Sequence, residues 1–322
     1  KGNIFFGTEL VNFEKKFTKK YKSRFGVAVG SGTDAILISL KALNIRSGDE
    51  IITAANTAIP TISAIVNSGA IPKLVDVGED YLIDTSKIEK LITKRTKAII
   101  PVHLYGQACD MSKILKIAKK YKIKIIEDCA QAQGAKYNKK FVGTIGDFGC
   151  FSFYPTKILG AYGDGGFITT KSYKHFLKIK RLRFYGIETI NKKNLFYKKY
   201  YANENGLNSR LDEIQSTILN IKLKYVDKYI NKRIKLANLY LKYLKNTDIN
   251  LPKTNDLKKH VFHLFTVSHP KRGEIIRMLE KEKIGTRIIY PYPINIMKGY
   301  KTFKFDDKNL KYSKKLSKEI FS

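Results

Sequence analysis

One lysine of the sequence differs from the others in its surroundings. Lys157 lies in segment 151–160 (FSFYPTKILG), among aromatic and small residues, whereas nearly every other lysine has charged neighbours. Removal from water favours the neutral form of an amine, and a neutral lysine amine can form a Schiff base with a carbonyl group. Two interpretations stay open for this segment alone: a lysine that bonds covalently to a ligand, or a buried lysine in a structural ion pair.

Two further points place polar groups next to predicted strands. Asp128 follows the apolar run 123–127, at the carboxyl end of a strand, where the ligands of parallel sheets bind. Its alternative role is to cap the residues that follow it. The turn 30–33 (GSGT) lies between a strand and a helix, where small residues let backbone N–H groups approach an anion. Such turns also occur simply to join a strand to a helix.

Together these features predict one cofactor. A phosphate cradle at the turn 30–33, an acid at Asp128 for a pyridinium nitrogen, and an apolar amine at Lys157 are what pyridoxal phosphate requires of a protein. The acid keeps the ring nitrogen protonated, so that the ring can withdraw electrons from the substrate carbon.

The elements that position these residues follow from an alternation of apolar runs with amphipathic stretches. The predicted strands are 25–29, 50–53, 72–77, 97–104 and 123–127. The predicted helices between them are 33–42, 60–67, 88–92 and 111–121, the last capped by Asp110. Buried strands separated by helices indicate an α/β fold with a mostly parallel sheet covered on both faces.

The second half of the chain has a different pattern. Residues 141–170 are rich in glycine and aromatic residues, which predicts short strands and tight turns. Helical patterns cover 173–183 and 211–244, the latter with a break. A predicted strand at 262–267 and a predicted helix at 273–283 indicate a small C-terminal domain.

The composition bears on partners and location. The chain has 322 residues and a formal net charge of +33, but its lysines are spread along the chain without a block of five or six like charges. We therefore favour a solvated lysine coat over a nucleic-acid surface and predict neither nucleic acid nor a membrane as a partner. Nucleic-acid binding, which would weaken steeply with salt, remains the alternative.

The three cysteines are Cys109, Cys129 and Cys150. They form no CxxC pair and have no histidine cluster beside them, so we predict neither a disulfide framework nor a metal site. Three small buried thiols in a reducing cytoplasm are the expectation.

Several segments match one enzyme family in the family's own order. They are VGSGTDA at 29–35, ANTAIPT at 55–61, PVHLYGQ at 101–107, EDCAQA at 127–132, FSFYPTK at 151–157, GDGG at 163–166, NSRLDEIQ at 208–215, GT at 285–286 and YP at 290–291. On these segments, which cover most of the chain, the sequence resembles the DegT/DnrJ/EryC1/StrS family of sugar aminotransferases. By the same comparison, about one helix is missing at the front and a short tail at the end.

The resemblance implies aminotransferase fold type I, with a large cofactor domain at 1–220 and a small α/β domain at 221–322. It implies that Lys157 holds pyridoxal 5'-phosphate covalently and later moves the proton between substrate carbon and cofactor carbon. Asp128 would pair with the pyridinium nitrogen, and Gln131 would lie beside the ring hydroxyl. The phosphate-binding residues would be Gly32, Thr33 and Ser152.

The resemblance also implies a homodimer with shared sites, in which Asn208 reaches the phosphate of the neighbouring subunit's cofactor. Tyr185 and Tyr290 fall where family members contact the sugar nucleotide, although tyrosines there also serve as core packing. Retention of Lys157 argues against the dehydratase branch of the family, in which histidine replaces this lysine.

The implied reaction has two halves: glutamate aminates the cofactor, and a nucleotide-linked keto-sugar then takes the amino group. Segments 56–61 and 261–265 are most similar to enzymes that aminate carbon 3 of dTDP-linked 3-keto-6-deoxyhexoses. A 4-keto substrate on UDP or dTDP is the close alternative, and a non-catalytic sensor of cofactor or sugar nucleotide is the rival of another class. The expected setting is amino-sugar synthesis for lipopolysaccharide, another surface glycan or a glycosylated metabolite.

Four positions depart from the family pattern. Many members have histidine where Gln133 stands, and histidines also replace Ile289 and Asn295. Several members stack an aromatic residue on the cofactor ring where this chain has Ala58. These differences leave the cofactor chemistry unchanged and bear on the substrate and the accepting carbon.

Overall fold

A seven-stranded sheet lies at the centre of the structure, a computed structural model that describes residues 4–188, 201–254 and 257–322. Its strands, in spatial order, are β1 (Phe25–Val29), β9 (Gly166–Thr170), β8 (Phe148–Ser152), β5 (Lys124–Asp128), β4 (Thr96–Ile100), β2 (Glu50–Ala54) and β3 (Ile71–Val75). All neighbouring pairs from β8 to β3 are parallel, and β9 runs antiparallel between β8 and β1. The prediction of a mostly parallel sheet is confirmed.

Helices cover both faces of the sheet. On one side lie α2 (Gly32–Ala42), α3 (Ile59–Asn67) and α5 (Tyr173–Leu182), and on the other lie α1 (Thr8–Lys20) and α4 (Met111–Tyr121). The described residues also form α6 (Glu213–Lys222), α7 (Val226–Leu244), α8 (Arg272–Lys281) and α9 (Lys311–Glu319). Five short strands lie outside the central sheet: β6 (Lys136–Tyr137) pairs with β7 (Lys140–Phe141) and β10 (Lys258–Lys259), and β11 (Val267–Ser268) pairs with β12 (Ile320–Phe321).

Consecutive strand residues face opposite sides of the sheet, which explains why the strands are continuous apolar runs. Ile51 and Ile126 belong to the cluster beneath α2, α3 and α5, whereas Ile52 and Ile125 belong to the cluster beneath α1 and α4. Each face therefore receives alternate side chains of the same strand, and both faces are buried.

Several predicted elements are confirmed. The strand at 25–29 is found at those residues, and the other four predicted strands appear with shifted ends. Asp110 caps α4, where its carboxylate accepts a hydrogen bond from the N–H of Lys113 at 3.3 Å. The long helical pattern is broken between α6 and α7, as expected. All three cysteines are buried and free.

Two predicted elements are wrong. Residues 88–92 form 3₁₀ turns in place of a helix. The predicted strand 262–267 is reduced to β11 at its end, because Phe262 has a φ of 48°. This segment bonds instead to the turn after β4, through Val261 N to Gly106 O at 3.0 Å and Leu264 N to Tyr105 O at 3.3 Å.

The predicted domain boundary after residue 220 falls inside α6 and remains a prediction. In the described ranges, none of the helices combines the length and the apolar character that a membrane crossing requires.

Candidate active site

Asp128 is the last residue of β5 and only 4% exposed. Its backbone is fixed to the chain after β4, since its N–H donates to Pro101 O at 2.9 Å and its carbonyl accepts from His103 N at 3.0 Å. Its carboxylate accepts hydrogen bonds from Thr61 Oγ1 at 2.8 Å and Ala130 N at 3.0 Å. Within the described residues no cation pairs with it, so its negative charge remains to be matched by a ligand.

Lys157 lies in the tight turn that follows β8. Its N–H donates to Tyr154 O at 2.9 Å, and Ala161 N closes the turn by donating to Phe153 O at 2.7 Å. Burial lowers the pKa of the Lys157 amine, and the nearby Asp128 carboxylate opposes this shift. Because the burial effect is the larger, the amine is shifted towards the neutral, nucleophilic form.

An anion cradle forms where α2 begins beside the end of β8. A Cβ atom added to Gly32 would lie 2.7 Å from Cβ of Ser152, so only glycine allows this approach. Ser31 caps the helix by accepting from Asp34 N at 3.0 Å. The first turn, including Thr33, directs backbone N–H groups and the positive end of the helix dipole outward. Together with the Ser152 hydroxyl, these groups suit a phosphate.

Gln131 links this region to the C-terminal part of the chain. Its Oε1 accepts from Tyr105 N at 2.8 Å, and its Nε2 donates to the Tyr290 hydroxyl at 3.0 Å. Burial is the main cause that raises the pKa of Tyr290 to about 12, and the charge of Asp128 contributes. The Tyr290 hydroxyl is therefore protonated near neutral pH, and Tyr290 lies close enough to Asp128 for the charge of that carboxylate to act on it.

Tyr185 and Asn208 lie at the surface. Asn208 is exposed, and its segment pairs with Phe184 in an isolated β-bridge. Tyr185 is 47% exposed, and its N–H donates to Leu207 O at 2.9 Å. Ser209, which follows Asn208, connects the segment at 207–209 to the anion cradle. Its Oγ accepts from Gly30 N at 2.8 Å and donates to Asp34 Oδ2 at 2.7 Å.

Two residues near the site, Thr61 and His263, were not assigned a role from the sequence. Thr61 orients Asp128 from the first turns of α3. His263 is buried, and burial, with the positive charges of Lys157 and Arg233, lowers its pKa to about 3, so the imidazole is neutral. Its Nδ1 meets no partner within the described residues. The motif at 261–265 could have drawn attention to His263, but nothing local connects it to Lys157.

Behind Asp128, the preceding residue anchors the end of β5. The Glu127 carboxylate is fully buried and accepts from Gly143 N at 2.9 Å, Ile145 N at 2.8 Å and Gly146 N at 2.7 Å. It also lies 3.0 Å from His103 Nε2. Since His103 Nδ1 accepts from Cys109 N at 3.0 Å, the Nε2 atom carries the proton and donates. Both ring nitrogens are thus engaged, which leaves neither free as a metal ligand.

The arrangement fits one kind of ligand. The half-buried Lys157 amine, whose pKa is lowered, suits an aldehyde. The buried Asp128 carboxylate, which has no cation partner among the described residues, suits a ring N–H. The N–H and hydroxyl donors around Gly32 suit a phosphate. Pyridoxal phosphate combines these three groups.

Comparison with known proteins agrees with this geometry. The model of the DegT/DnrJ/EryC1/StrS aminotransferase family matches residues 1–322. The chain belongs to this family. It is therefore an aminotransferase of the α/β fold, and its cofactor is pyridoxal 5'-phosphate.

Individual members of the DegT/DnrJ/EryC1/StrS family are similar over nearly the whole chain. The dTDP-3-amino-3,6-dideoxy-alpha-D-galactopyranose transaminase of Aneurinibacillus thermoaerophilus is 44% identical over 98% of this chain and 84% of its own length. The dTDP-3-amino-3,4,6-trideoxy-alpha-D-glucose transaminase of Micromonospora megalomicea subsp. nigra is 40% identical over 100% of this chain and 85% of its own. The crystal structure of S. venezuelae DesV in complex with a ketimine intermediate has a TM-score of 0.94 at 35% identity, covering 100% of this chain and 85% of that one.

The Glu127 anchor yields a prediction on stability. Glu127→Ala leaves the N–H groups of Gly143, Ile145 and Gly146 and the His103 ring N–H without an acceptor. We expect it to lower the free energy of unfolding by at least about 3 kcal/mol, because each buried donor left unpaired is costly. Urea denaturation measures the loss. The control, exposed Glu282→Ala, should change it by less than about 0.5 kcal/mol, and equal stability of the two variants would refute the anchor.

Proposed function

We propose that this aminotransferase transfers an amino group to a nucleotide-linked keto-deoxysugar, with a dTDP-3-keto-6-deoxyhexose as acceptor and glutamate as donor. The observation that carries the proposal is that one site holds two groups. They are the Lys157 amine, whose pKa is lowered by burial, and the Asp128 carboxylate, which forms no ion pair with a described residue. The acceptor is supported by the two relatives named for dTDP-3-amino sugars. The donor rests on the family resemblance.

We propose the following residue roles. Asp128, held by Thr61 and the N–H of Ala130, would bind the ring N–H, and Gln131 would lie beside the ring hydroxyl. Gly32, Thr33 and Ser152 would bind the phosphate at the start of α2. Once bound, pyridoxal phosphate supplies an electron sink that lets an amino group pass from one carbon atom to another.

The chain's own residues would then move the proton. Lys157 Nζ, shifted towards its neutral form, would take a proton from the carbon of the donor and release it to a carbon of the cofactor, and would do the reverse for the acceptor. Asp128 would keep its position throughout, since Thr61 Oγ1 and Ala130 N hold its carboxylate. Tyr290, held protonated by burial, would offer a hydroxyl to the sugar nucleotide. Tyr185, about half exposed, would contact it from the surface.

We also propose a homodimer in which the two subunits complete each other's sites. Asn208 would reach the cofactor phosphate of the neighbouring subunit. Its exposure and the link from Ser209 to the turn of its own phosphate site support this role. Large apolar side chains at the surface, such as Tyr162 at 76% and Ile214 at 72% exposed, support an interface that covers them.

The proposed setting is the cytoplasm, because three free, buried cysteines suit a reducing compartment. The amino sugar would serve a lipopolysaccharide, another surface glycan or a glycosylated metabolite.

The first prediction concerns the lysine. The protein with pyridoxal phosphate should show a visible absorbance band that glutamate bleaches, and Lys157→Ala should remove the band and abolish turnover. Lys171→Ala, which removes an exposed lysine whose Nζ donates to Ile145 O, should keep both. An absorbance band that glutamate leaves unchanged would contradict the proposed donor. If no other amino acid bleached the band either, the result would favour a non-catalytic sensor of cofactor or sugar nucleotide.

The second prediction concerns the acceptor. With glutamate present, kcat/KM for a dTDP-3-keto-6-deoxyhexose should exceed that for 4-keto sugars on dTDP or UDP by about 100-fold or more, because buried polar groups discriminate strongly between positions of a carbonyl. Product analysis by mass spectrometry and NMR identifies the aminated carbon. Preferential amination at carbon 4 would refute the acceptor while leaving the aminotransferase assignment in place.

The third prediction concerns the dimer. Asn208→Ala should weaken cofactor binding. At a cofactor concentration too low to saturate Asn208→Ala, mixing its subunits with inactive Lys157→Ala subunits should give more activity than the two variants show separately. A mixed dimer holds one site with both wild-type residues, because a two-fold interface presents the same surface from each subunit. Subunit exchange is confirmed by mass spectrometry with differently tagged chains. No gain of activity in proven mixed dimers would show that Asn208 acts within its own subunit.

A further inference from the structure

The Gln133 side chain forms three hydrogen bonds close to Lys157 in the chain, and all three are to backbone atoms. It contacts none of the side-chain groups proposed to bind a ligand. Its side chain is fully buried. Nε2 donates to Ser152 O at 2.6 Å and to Leu159 O at 3.3 Å, while Oε1 accepts from Leu159 N at 3.3 Å. One carboxamide therefore uses both its donor and its acceptor groups on a single stretch of chain.

The two anchor points lie on either side of Lys157. Ser152 ends β8, and Leu159 lies just beyond the lysine, so the carboxamide closes the segment 152–159 at its base. The segment is tight in itself: a Cβ atom added to Gly160 would lie 2.5 Å from Pro155 O. Because Gln133 joins the two ends of the segment 152–159, the backbone between them is restrained. The direction in which the Lys157 side chain leaves the backbone is restrained with it.

The closure also concerns how far the lysine is removed from water. Burial is the main cause of the lowered Lys157 pKa, and Lys157 lies within the segment that Gln133 closes. Two ionisable groups face the amine from other elements. Asp128 at the end of β5 raises its pKa, and His263, which burial keeps neutral, adds no charge. An opened turn would admit water and weaken the larger effect first.

We propose that Gln133 is a positioning residue for Lys157, whose carboxamide closes the segment 152–159 and thereby fixes the place of the lysine amine in the site. This inference rests on the proposed role of Lys157. It also gives a physical reason for the residue type, because the position needs an N–H donor for Ser152 O. Histidine, which many members of the family have here, also supplies an N–H donor.

The test compares Gln133→Met with Gln133→His. Methionine has a similar length but neither donates nor accepts strongly, so it breaks the clamp, whereas histidine keeps one N–H donor. The matched control is Gln107→Met, because Gln107 is also buried and donates to a carbonyl, Lys253 O at 2.7 Å, outside the segment 152–159. Thermal unfolding of each variant measures the structural cost separately.

The readout is the apparent pKa of Lys157 in the cofactor-free protein, obtained by competitive acylation with acetic anhydride across a pH series and peptide mass spectrometry. Gln133→Met should raise this pKa towards the ordinary lysine value, since desolvation is partly relieved. Gln133→His and Gln107→Met should leave it near the wild-type value. In the holoenzyme, Gln133→Met should lower the rate of both half-reactions about 10-fold or more with little change in KM.

An unchanged Lys157 pKa in Gln133→Met, together with a lower melting temperature, would overturn the proposal and leave Gln133 a structural residue. Should Gln133→Met fail to fold, Gln133→Leu is read in the same way, because its uncharged side chain makes no hydrogen bond and adds no charge near Lys157. The acylation result needs neither cofactor nor substrate. It therefore stands apart from the proposed function, which is tested by the donor and the acceptor that the wild-type protein uses.

Discussion

The site depends on one constraint: a carboxylate is buried at the end of β5 without a cation from the described parts of the chain. A buried charge of this kind is costly, and the fold limits the cost with two hydrogen bonds, from Thr61 and from Ala130 N. Those donors fix the carboxylate but do not neutralise it. The negative charge of Asp128 is thus held in place for a positive group that the ligand brings.

The strand itself separates chemistry from structure. Consecutive residues of a strand point to opposite sides, so Glu127 and Asp128 face different surroundings although both are buried acids. Glu127 is saturated by three backbone N–H groups and the His103 ring, and it fixes the loop 143–146 beside β5. Asp128 retains capacity to accept. Burial alone therefore does not distinguish Glu127 from Asp128. The two acids differ in the number of hydrogen-bond donors around each carboxylate, which is four for Glu127 and two for Asp128.

Local sequence predicted the parts of the site whose cause is local. The turn before α2, the acid at the end of β5 and the lysine among aromatic residues each follow from neighbours along the chain, and the cradle and the Asp128 environment are found where these patterns indicated. The partners of these residues could not be found in this way. Thr61 bonds Asp128 across 67 positions, and its own neighbours look like an ordinary helix start. The strand predicted at 262–267 failed for the same reason, because contacts with the turn at 104–106 hold Phe262 in a left-handed conformation that its apolar sequence does not suggest.

The charges of the site give a bound molecule one direction. Near Asp128, burial raises the pKa of Tyr290 and lowers that of His263, so both are uncharged near neutral pH, and it shifts Lys157 the same way. Tyr290 and His263 therefore do not balance the negative charge of the Asp128 carboxylate. At the other end, Gly32, Thr33 and Ser152 present N–H and hydroxyl donors at the positive end of α2. A molecule with a cationic ring nitrogen and a phosphate is stabilised at both ends in one orientation only, since the reverse would place phosphate against Asp128.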